Sequence, residues 1–158
     1  MFAREMNRDF KQAVDSLQPK YKALLAMEPV TLADLPRQMP KKGVYLFSEG
    51  DRPLYADRTN RLRSRLQGHV RDSHYTATLA FLMARIQTDK VQPSYKPQGS
   101  RTDLLRNREF RGAFDSARQK IRHLDIRYVE EADPVRQALL EIYIALASGA
   151  EHNSFDNH

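Results

Sequence analysis

The sequence predicts an α+β fold, in which a small three-stranded antiparallel sheet is flanked by helices and preceded by an N-terminal helical extension. Residues 41–59 hold two short apolar runs on either side of the turn-forming residues 48–53, a pattern typical of a β-hairpin. Residues 125–131 alternate apolar and polar side chains, which indicates a third strand. Elsewhere apolar residues recur every three or four positions, as in amphipathic helices. We expect residues 1–40 to form the extension with its linker, and 41–158 to form the main domain.

Length, composition and charge limit the class of protein. The chain has 158 residues, enough for one domain with an additional element, and no cysteine, which excludes disulfides, thiolate zinc sites and cysteine catalysis. Its net charge of +6 favours an anionic partner such as nucleic acid. No apolar run approaches the roughly 20 residues that a membrane helix requires. Charges also interrupt the N-terminus, so we expect a cytoplasmic protein that does not contact a membrane.

The N-terminal extension is predicted to consist of two helices. Residues 2–27 carry an amphipathic stripe that Pro19 interrupts, so the helices should meet near Leu17 and Gln18. The stripe consists of Phe10, Val14, Leu17, Tyr21 and Leu24. Two uses remain open: an arm that docks on a partner or on DNA, or a helix pair packed on the domain's own sheet, which we favour. Residues 28–40 contain several prolines and form a connector.

The central part of the chain is predicted to be helical, with one interruption. Residues 76–88 have high helical propensity, and residues 89–100, with two prolines and a glycine, indicate a surface loop. Residues 103–122 are expected to form one very basic helix that Thr102 or Asp103 caps. Its basic side chains either form a solvated face or lie on phosphates, and these two alternatives carry equal weight.

The last helix contains a single carboxylate. Pro134 suits its first turn, and Gly149 is a stop signal at its end. Between residues 138 and 147 the helix is apolar nearly all round, which is typical of a buried helix, and Glu141 is the only charge. A buried carboxylate is costly unless it is paired, hydrogen-bonded or bound to a metal. Glu141 therefore reaches the surface, pairs with an arginine or holds a cation.

The helix that follows the hairpin has two neighbouring stripes. Thr59 and Asn60 are candidate N-caps for it. Beyond them, one stripe is apolar and the next is basic, each with members four residues apart. The apolar stripe is Leu62, Leu66 and Val70, and the basic stripe is Arg61, Arg65 and His69.

These residues resemble the GIY-YIG nuclease family. Gly43-Val44-Tyr45 matches the family's Gly-Ile-Tyr motif, whereas Tyr55-Ala56-Asp57 keeps only the tyrosine of Tyr-Ile-Gly. The family's next pattern is a threonine, then Leu-x-x-Arg-Leu, then a histidine four residues past the arginine; it is met by Thr59, Leu62, Arg65, Leu66 and His69. The family also has a glutamate on the helix after the third strand and an asparagine beyond that helix, which correspond to Glu141 and Asn153. The resemblance spans residues 41–158.

The resemblance implies a metal-dependent endonuclease that hydrolyses DNA, and it assigns a part to each matched residue. Tyr45 would act as general base or orient the attacking water, and Tyr55 would hydrogen-bond the scissile phosphate or that base. Arg65 would stabilise the developing charge, and His69 would assist proton transfer or hold Tyr45. Glu141 would bind Mg²⁺ or Mn²⁺. Asn153 would support the metal shell or the phosphate.

The predicted contacts to DNA are arginines of the hairpin, of the helix after it and of the basic helix. An arginine offers a planar, permanently charged group to phosphate oxygens. The five are Arg58, Arg61, Arg63, Arg108 and Arg111.

Asp57 is the clear departure from the family's pattern, in which a glycine stands at this position. Its carboxylate would add negative charge near a phosphate, so we expect it to affect the rate of cleavage more than the fold. Two other classes of function stay open: a nucleic-acid-binding domain with an attenuated or inactive nuclease centre, and a domain that docks on another protein through residues 2–27. A homodimer also stays open, because one metal site cuts one strand per encounter.

Overall fold

The predicted hairpin forms two of the three strands of the sheet. The computed structural model describes residues 4–90 and 100–156. Strand β1 (Gly43–Glu49) and strand β2 (Arg52–Thr59) are joined by a two-residue turn in which Gly50 has a φ of 59°. The turn is thus shorter than the six residues predicted for it. Strand β3 (Asp125–Glu130) pairs with the other side of β1, so the antiparallel order is β2-β1-β3.

Seven helices accompany the sheet within the described residues. They are α1 (Arg8–Asp15), α2 (Leu17–Ala26), α3 (Leu62–Gly68), α4 (Thr78–Gln87), α5 (Arg101–Arg106), α6 (Arg108–Ile121) and α7 (Pro134–Ser148), with a short 3-10 helix at Leu32–Asp34. The predicted α+β fold, with a three-stranded antiparallel sheet, flanking helices and an N-terminal helical segment, is confirmed. None of the described helices has the length and apolar character that crossing a bilayer demands.

The described residues divide into two compact units. The first takes in residues 4–30, 36–62 and 125–156, and it contains the sheet with α1, α2 and α7. The second takes in residues 31–35, 63–90 and 100–124, and it contains α4, α5, α6 and all but the first residue of α3.

The core of the first unit lies between the sheet and two helices. Val44, Leu46 and Ala56 of the sheet pack in one cluster with Leu140 and Ile144 of α7. Burying a large apolar side chain contributes about 1.5–3 kcal/mol. This cluster therefore fixes α7, and with it Glu141, against the hairpin.

The N-terminal helices meet at Ser16, close to the predicted junction. Leu17 and Leu24 join the core cluster, as expected for helices that pack on the domain's own sheet. Phe10 and Val14 of α1 are exposed, however, so the predicted stripe is buried only along α2.

Helix α7 begins and ends where the sequence predicts. Asp133 caps it by accepting a hydrogen bond from the N–H of Arg136 (2.8 Å), Pro134 is its first residue, and Gly149 ends it with a φ of 70°. The expectation that the helix is buried all round is wrong. Ile142 and Leu146 are exposed, because α7 packs with one face on the sheet.

The basic helix predicted for residues 103–122 is two helices. Asn107 has an extended backbone (φ −75°, ψ 127°), and its side-chain oxygen accepts a hydrogen bond from the N–H of Phe110 at 3.0 Å. Asparagine is among the best N-cap residues because its oxygen replaces a missing helical acceptor, so it ends α5 and starts α6. Ser100, rather than Thr102 or Asp103, caps α5. Most of the predicted surface loop, residues 91–99, lies outside the described residues.

Both outer edges of the sheet are covered by segments that are not strands. Along β2, the N–H groups of Glu151 and His152 donate to the carbonyls of Pro53 and Leu54. Along β3, Val30 and Ile126 exchange two backbone hydrogen bonds of 3.0 and 2.7 Å. An uncovered edge exposes unpaired backbone groups to pairing with other chains, and these segments remove that opportunity at the residues to which they bond.

Candidate functional site

Gly43 is required by the sheet itself. A Cβ atom at this position would lie 2.1 Å from the carbonyl oxygen of Val129 on β3, which is closer than real contacts permit. The glycine of the first motif is therefore explained by a close approach of two backbones.

Tyr45 is fully buried, and its hydroxyl is held by Asp57. The two residues are direct partners in the β1–β2 register, and the Tyr45 hydroxyl donates a 3.0 Å hydrogen bond to Oδ2 of Asp57. The Tyr45 ring packs edge-on against Phe47, with 5.5 Å between ring centroids. The buried phenol thus has a fixed direction.

The second carboxylate oxygen of Asp57 is also engaged. Its Oδ1 accepts a hydrogen bond from the backbone N–H of Arg58 at 2.9 Å, so each oxygen is held by a hydrogen bond. Thr59, a predicted N-cap, accepts from the N–H of Arg61 at 3.0 Å just before α3 begins. Asp57 is partly buried, in contrast to Tyr45.

Glu141 forms an ion pair with Arg58. Its Oε2 lies 3.1 Å from Nε of Arg58, and the side chains are 24% and 46% exposed, respectively. Pairing with an arginine was one of the alternatives for this carboxylate. The pair joins a predicted metal ligand to a predicted DNA contact, so a cation and a phosphate would each compete with an existing interaction.

The residues around Glu141 fit a hard divalent cation that takes one protein ligand. No group of three or more histidine, aspartate or glutamate side chains that could hold a metal occurs in residues 4–90 and 100–156. Mg²⁺ often binds through one or two carboxylates and keeps several waters, so one partly exposed carboxylate is a compatible donor set.

Asn153 is bound to the edge of β2. Its Oδ1 accepts from the N–H of Ala56, and its Nδ2 donates to the carbonyl of Ala56, both at 2.8 Å. Ala56 follows Tyr55, which is partly buried and lies opposite Phe47 in the register. The described contacts of Asn153 thus place it as a support for the strand that carries Tyr55 and Asp57.

In the second unit, Arg65 and His69 lie at the end of α3 and just beyond it. Nη2 of Arg65 donates to the hydroxyl of Thr78 at 3.2 Å. His69 is fully buried, and burial, together with the Arg65 charge, lowers its pKa from 6.5 to about 3. The imidazole is therefore neutral at physiological pH, which suits a positioning role better than proton uptake.

The two predicted DNA contacts on α6 differ in their surroundings. Nη2 of Arg111 lies 2.6 Å from Asp72 and its Nε lies 3.3 Å from Asp115, and the hydrogen bond to Asp72 raises the pKa of Arg111. Arg108, one turn earlier, is exposed. Arg63, also in this unit, is partly buried. Two carboxylates already offset the charge of Arg111, so Arg108 is the better placed to meet a phosphate.

The pairing of Tyr45 with Asp57 is the feature of the site that sequence reasoning missed. A β-bulge between Phe47 and Ser48 shifts the register, so Phe47 pairs with Tyr55 and Tyr45 with Asp57. Without that shift, Tyr45 would lie opposite Ala56, and a one-residue slip also reverses which face a side chain occupies. The sequence signal that could have indicated this pairing was Asp57, a polar residue two positions after Tyr55.

Comparisons with known protein families, with curated proteins and with solved structures gave no match to this chain.

Proposed function

We propose that this chain is a divalent-metal-dependent endonuclease that hydrolyses DNA, with a centre of the GIY-YIG type. The observation that carries the proposal is the connection of Tyr45 to Glu141 through two adjacent residues of β2. Tyr45 bonds Asp57, and the next residue, Arg58, pairs with Glu141. Successive side chains of a strand point to opposite faces of the sheet, so β2 carries a phenol–carboxylate pair on one face and a guanidinium–carboxylate pair on the other. Phosphodiester hydrolysis uses such groups to activate water and to offset charge.

Each group has a distinct task in this proposal. Glu141 would hold the divalent cation, which would supply positive charge to the phosphate and the leaving oxygen. Tyr55, which is partly buried, hydrogen-bonds a phosphate oxygen. By the family resemblance, Arg65 stabilises the charge that develops on the phosphate, for which its planar fork is suited. His69, whose imidazole is neutral, has a positioning role through hydrogen bonding and does not take up a proton. Asn153 supports β2 through Ala56.

The test is cleavage of a supercoiled plasmid. With Mg²⁺ we expect conversion to nicked circles, and EDTA should abolish it. Glu141→Gln should lose cleavage while keeping its melting temperature, whereas Glu28→Gln, at an exposed position after α2, should cut like wild type. A wild-type protein that leaves the plasmid intact, or a Glu141→Gln variant that cuts at the wild-type rate, would contradict the proposal.

A second candidate is a nucleic-acid-binding domain with an attenuated centre. Two observations favour it: the Tyr45 side chain is completely buried, and Arg58 occupies the Glu141 carboxylate. This candidate predicts salt-sensitive DNA binding without cleavage at any concentration of Mg²⁺ or Mn²⁺. The plasmid assay and a binding titration on the same preparation distinguish the two.

A cytoplasmic location and a homodimer are further parts of the proposal. A location in the cytoplasm suits a DNA substrate and a basic chain. Because the chain supplies one carboxylate for metal binding, cutting both strands in one encounter would require two copies. Sedimentation of the chain alone and with a duplex oligonucleotide tests this.

A further inference from the structure

We propose that Asp57 is the catalytic residue that accepts the proton of the attacking water, and that Tyr45 is a positioning residue for Asp57. This inference rests on the proposed function and changes which residue activates the water. The family pattern has a glycine at this position, so the role belongs to this chain's own sequence.

Burial separates the two members of the pair. Tyr45 has no exposed surface, so its hydroxyl does not meet bulk water, whereas Asp57, its hydrogen-bond acceptor, is only partly buried. A general base must come within hydrogen-bond reach of the proton that it takes. Asp57 meets this requirement more easily than the phenol behind it.

The carboxylate of Asp57 is also fixed in direction. The Tyr45 hydroxyl holds Oδ2 at 3.0 Å, and the N–H of Arg58 holds Oδ1 at 2.9 Å. A base oriented by a second group is the arrangement that activates nucleophiles in many hydrolases. Such fixed placement also reduces the entropy lost on reaching the reactive geometry. The Tyr45 hydroxyl donates a hydrogen bond to Asp57 in the resting state, so Tyr45 serves by orienting the carboxylate.

The proposed step is the hydrolysis of one phosphodiester bond by water. One O–H bond of the water breaks, and its proton passes to the Asp57 carboxylate. The water oxygen forms a bond to phosphorus while the bond from phosphorus to the leaving sugar oxygen breaks. The leaving oxygen takes a proton from solvent, and the Asp57 carboxylic acid returns its proton to solvent, so no net oxidation or reduction occurs.

The experiment compares variants by kcat and KM on a nicked-product assay with Mg²⁺. Asp57→Asn keeps the side-chain volume but removes the proton acceptor, so kcat should fall by about 10²–10⁴-fold, the usual contribution of a general base. KM should stay within about threefold of wild type, since the change affects the transition state. Tyr45→Phe should lower kcat by a smaller factor. Asp57→Glu should recover at least about tenfold over Asp57→Asn, because a carboxylate returns. The double variant should be no slower than Asp57→Asn alone, since both changes act on one unit.

The outcomes separate this inference from the proposed function. A wild type that cleaves DNA while Asp57→Asn cleaves as fast overturns the inference alone, as does a Tyr45→Phe loss larger than the Asp57→Asn loss. A wild type that does not cleave overturns both. Melting curves and DNA affinity show whether each variant is folded. If Asp57→Asn is not folded, Asp57→Ser takes its place, since a hydroxyl can accept a hydrogen bond but is too weak a base to take the proton of water.

Discussion

Asn153 pairs with Ala56 in the way that a neighbouring strand would. Its amide oxygen accepts from the backbone N–H of Ala56 and its amide nitrogen donates to the carbonyl of the same residue, both at 2.8 Å. A side chain thus continues the coverage that the backbones of Glu151 and His152 begin along β2.

Asn153→Ala should destabilise the protein without weakening metal binding. The substitution leaves two backbone groups of Ala56 without this partner, so we expect a loss of about 1–3 kcal/mol in the free energy of unfolding. Asn153→Asp, which keeps only an acceptor, should lose an intermediate amount, and Ser154→Ala, at the exposed next position, should be neutral. Urea unfolding and Mg²⁺ calorimetry measure the two effects. A Mg²⁺ affinity that falls while stability is unchanged would place Asn153 at the metal instead.

His69 should make stability depend on pH in the acid range. Its folded-state pKa, about 3, lies below the 6.5 of an exposed imidazole, so the unfolded chain takes up the proton first as pH falls. The contribution of His69 to the free energy of unfolding should therefore be constant above pH 6.5 and decrease below it, by up to about 1.4 kcal/mol per pH unit.

The control for this prediction is His69→Gln, which removes the titrating group. Its unfolding free energy should change less steeply between pH 6.5 and 4 than that of wild type. A smaller slope of the same sign should persist, because burial also lowers the pKa of His74. Parallel pH profiles for wild type and His69→Gln would show that the imidazole is accessible to protons in the folded state.

Arg58→Gln should strengthen the binding of Mg²⁺ and weaken the binding of DNA. Removing Arg58 releases Glu141 from a partly exposed ion pair, and such pairs contribute up to about 1 kcal/mol, so the Mg²⁺ dissociation constant should fall by up to about fivefold. Arg52→Gln is the matched control, because Arg52 is also on β2 and also paired, with Glu49 and Glu151. Calorimetry without DNA decides the point; equal Mg²⁺ affinities in wild type and Arg58→Gln would indicate that the cation binds elsewhere.

Substitution of Arg108 should affect mainly DNA binding, whereas substitution of Arg111 should affect mainly stability. Arg108→Ala should reduce the slope of log affinity against log salt concentration by about 0.9, the value for one lost phosphate contact on duplex DNA. Arg111→Ala should change that slope less and lower the melting temperature, since it breaks the ion pairs with Asp72 and Asp115. Binding titrations at four salt concentrations test both. If neither variant changes the slope, α6 does not face DNA.

The features predicted from sequence are those that depend on local chemistry. The start of α7 at Pro134, its end at Gly149 and the junction near Ser16 follow from backbone preferences of single residues, and the structure confirms them. The break between α5 and α6 at Asn107 was not predicted, because helical periodicity is strong on both sides of it. The capping hydrogen bond of Asn107 nevertheless ends one helix and starts the next.

The geometry of the site depends on interactions between distant segments, which periodicity does not encode. The bulge after Phe47 decides that Tyr45 faces Asp57, and the packing of α7 on the sheet decides that Glu141 meets Arg58. The motif residues could be named from the sequence, whereas their hydrogen-bond partners could not. The functional roles remain predictions that the variants above test.

The two covered edges of the sheet determine how the chain can be shortened. Val30, which precedes the hairpin in the sequence, bonds to the outer side of β3. Residues 151–153, which follow the hairpin, bond to the outer side of β2. Trimming either segment to obtain a smaller crystallisable fragment would leave a strand with unsatisfied backbone groups, and two fragments could then join edge to edge. Expression boundaries for this protein should therefore lie before Val30 and after Asn153, since shorter fragments would be prone to aggregation.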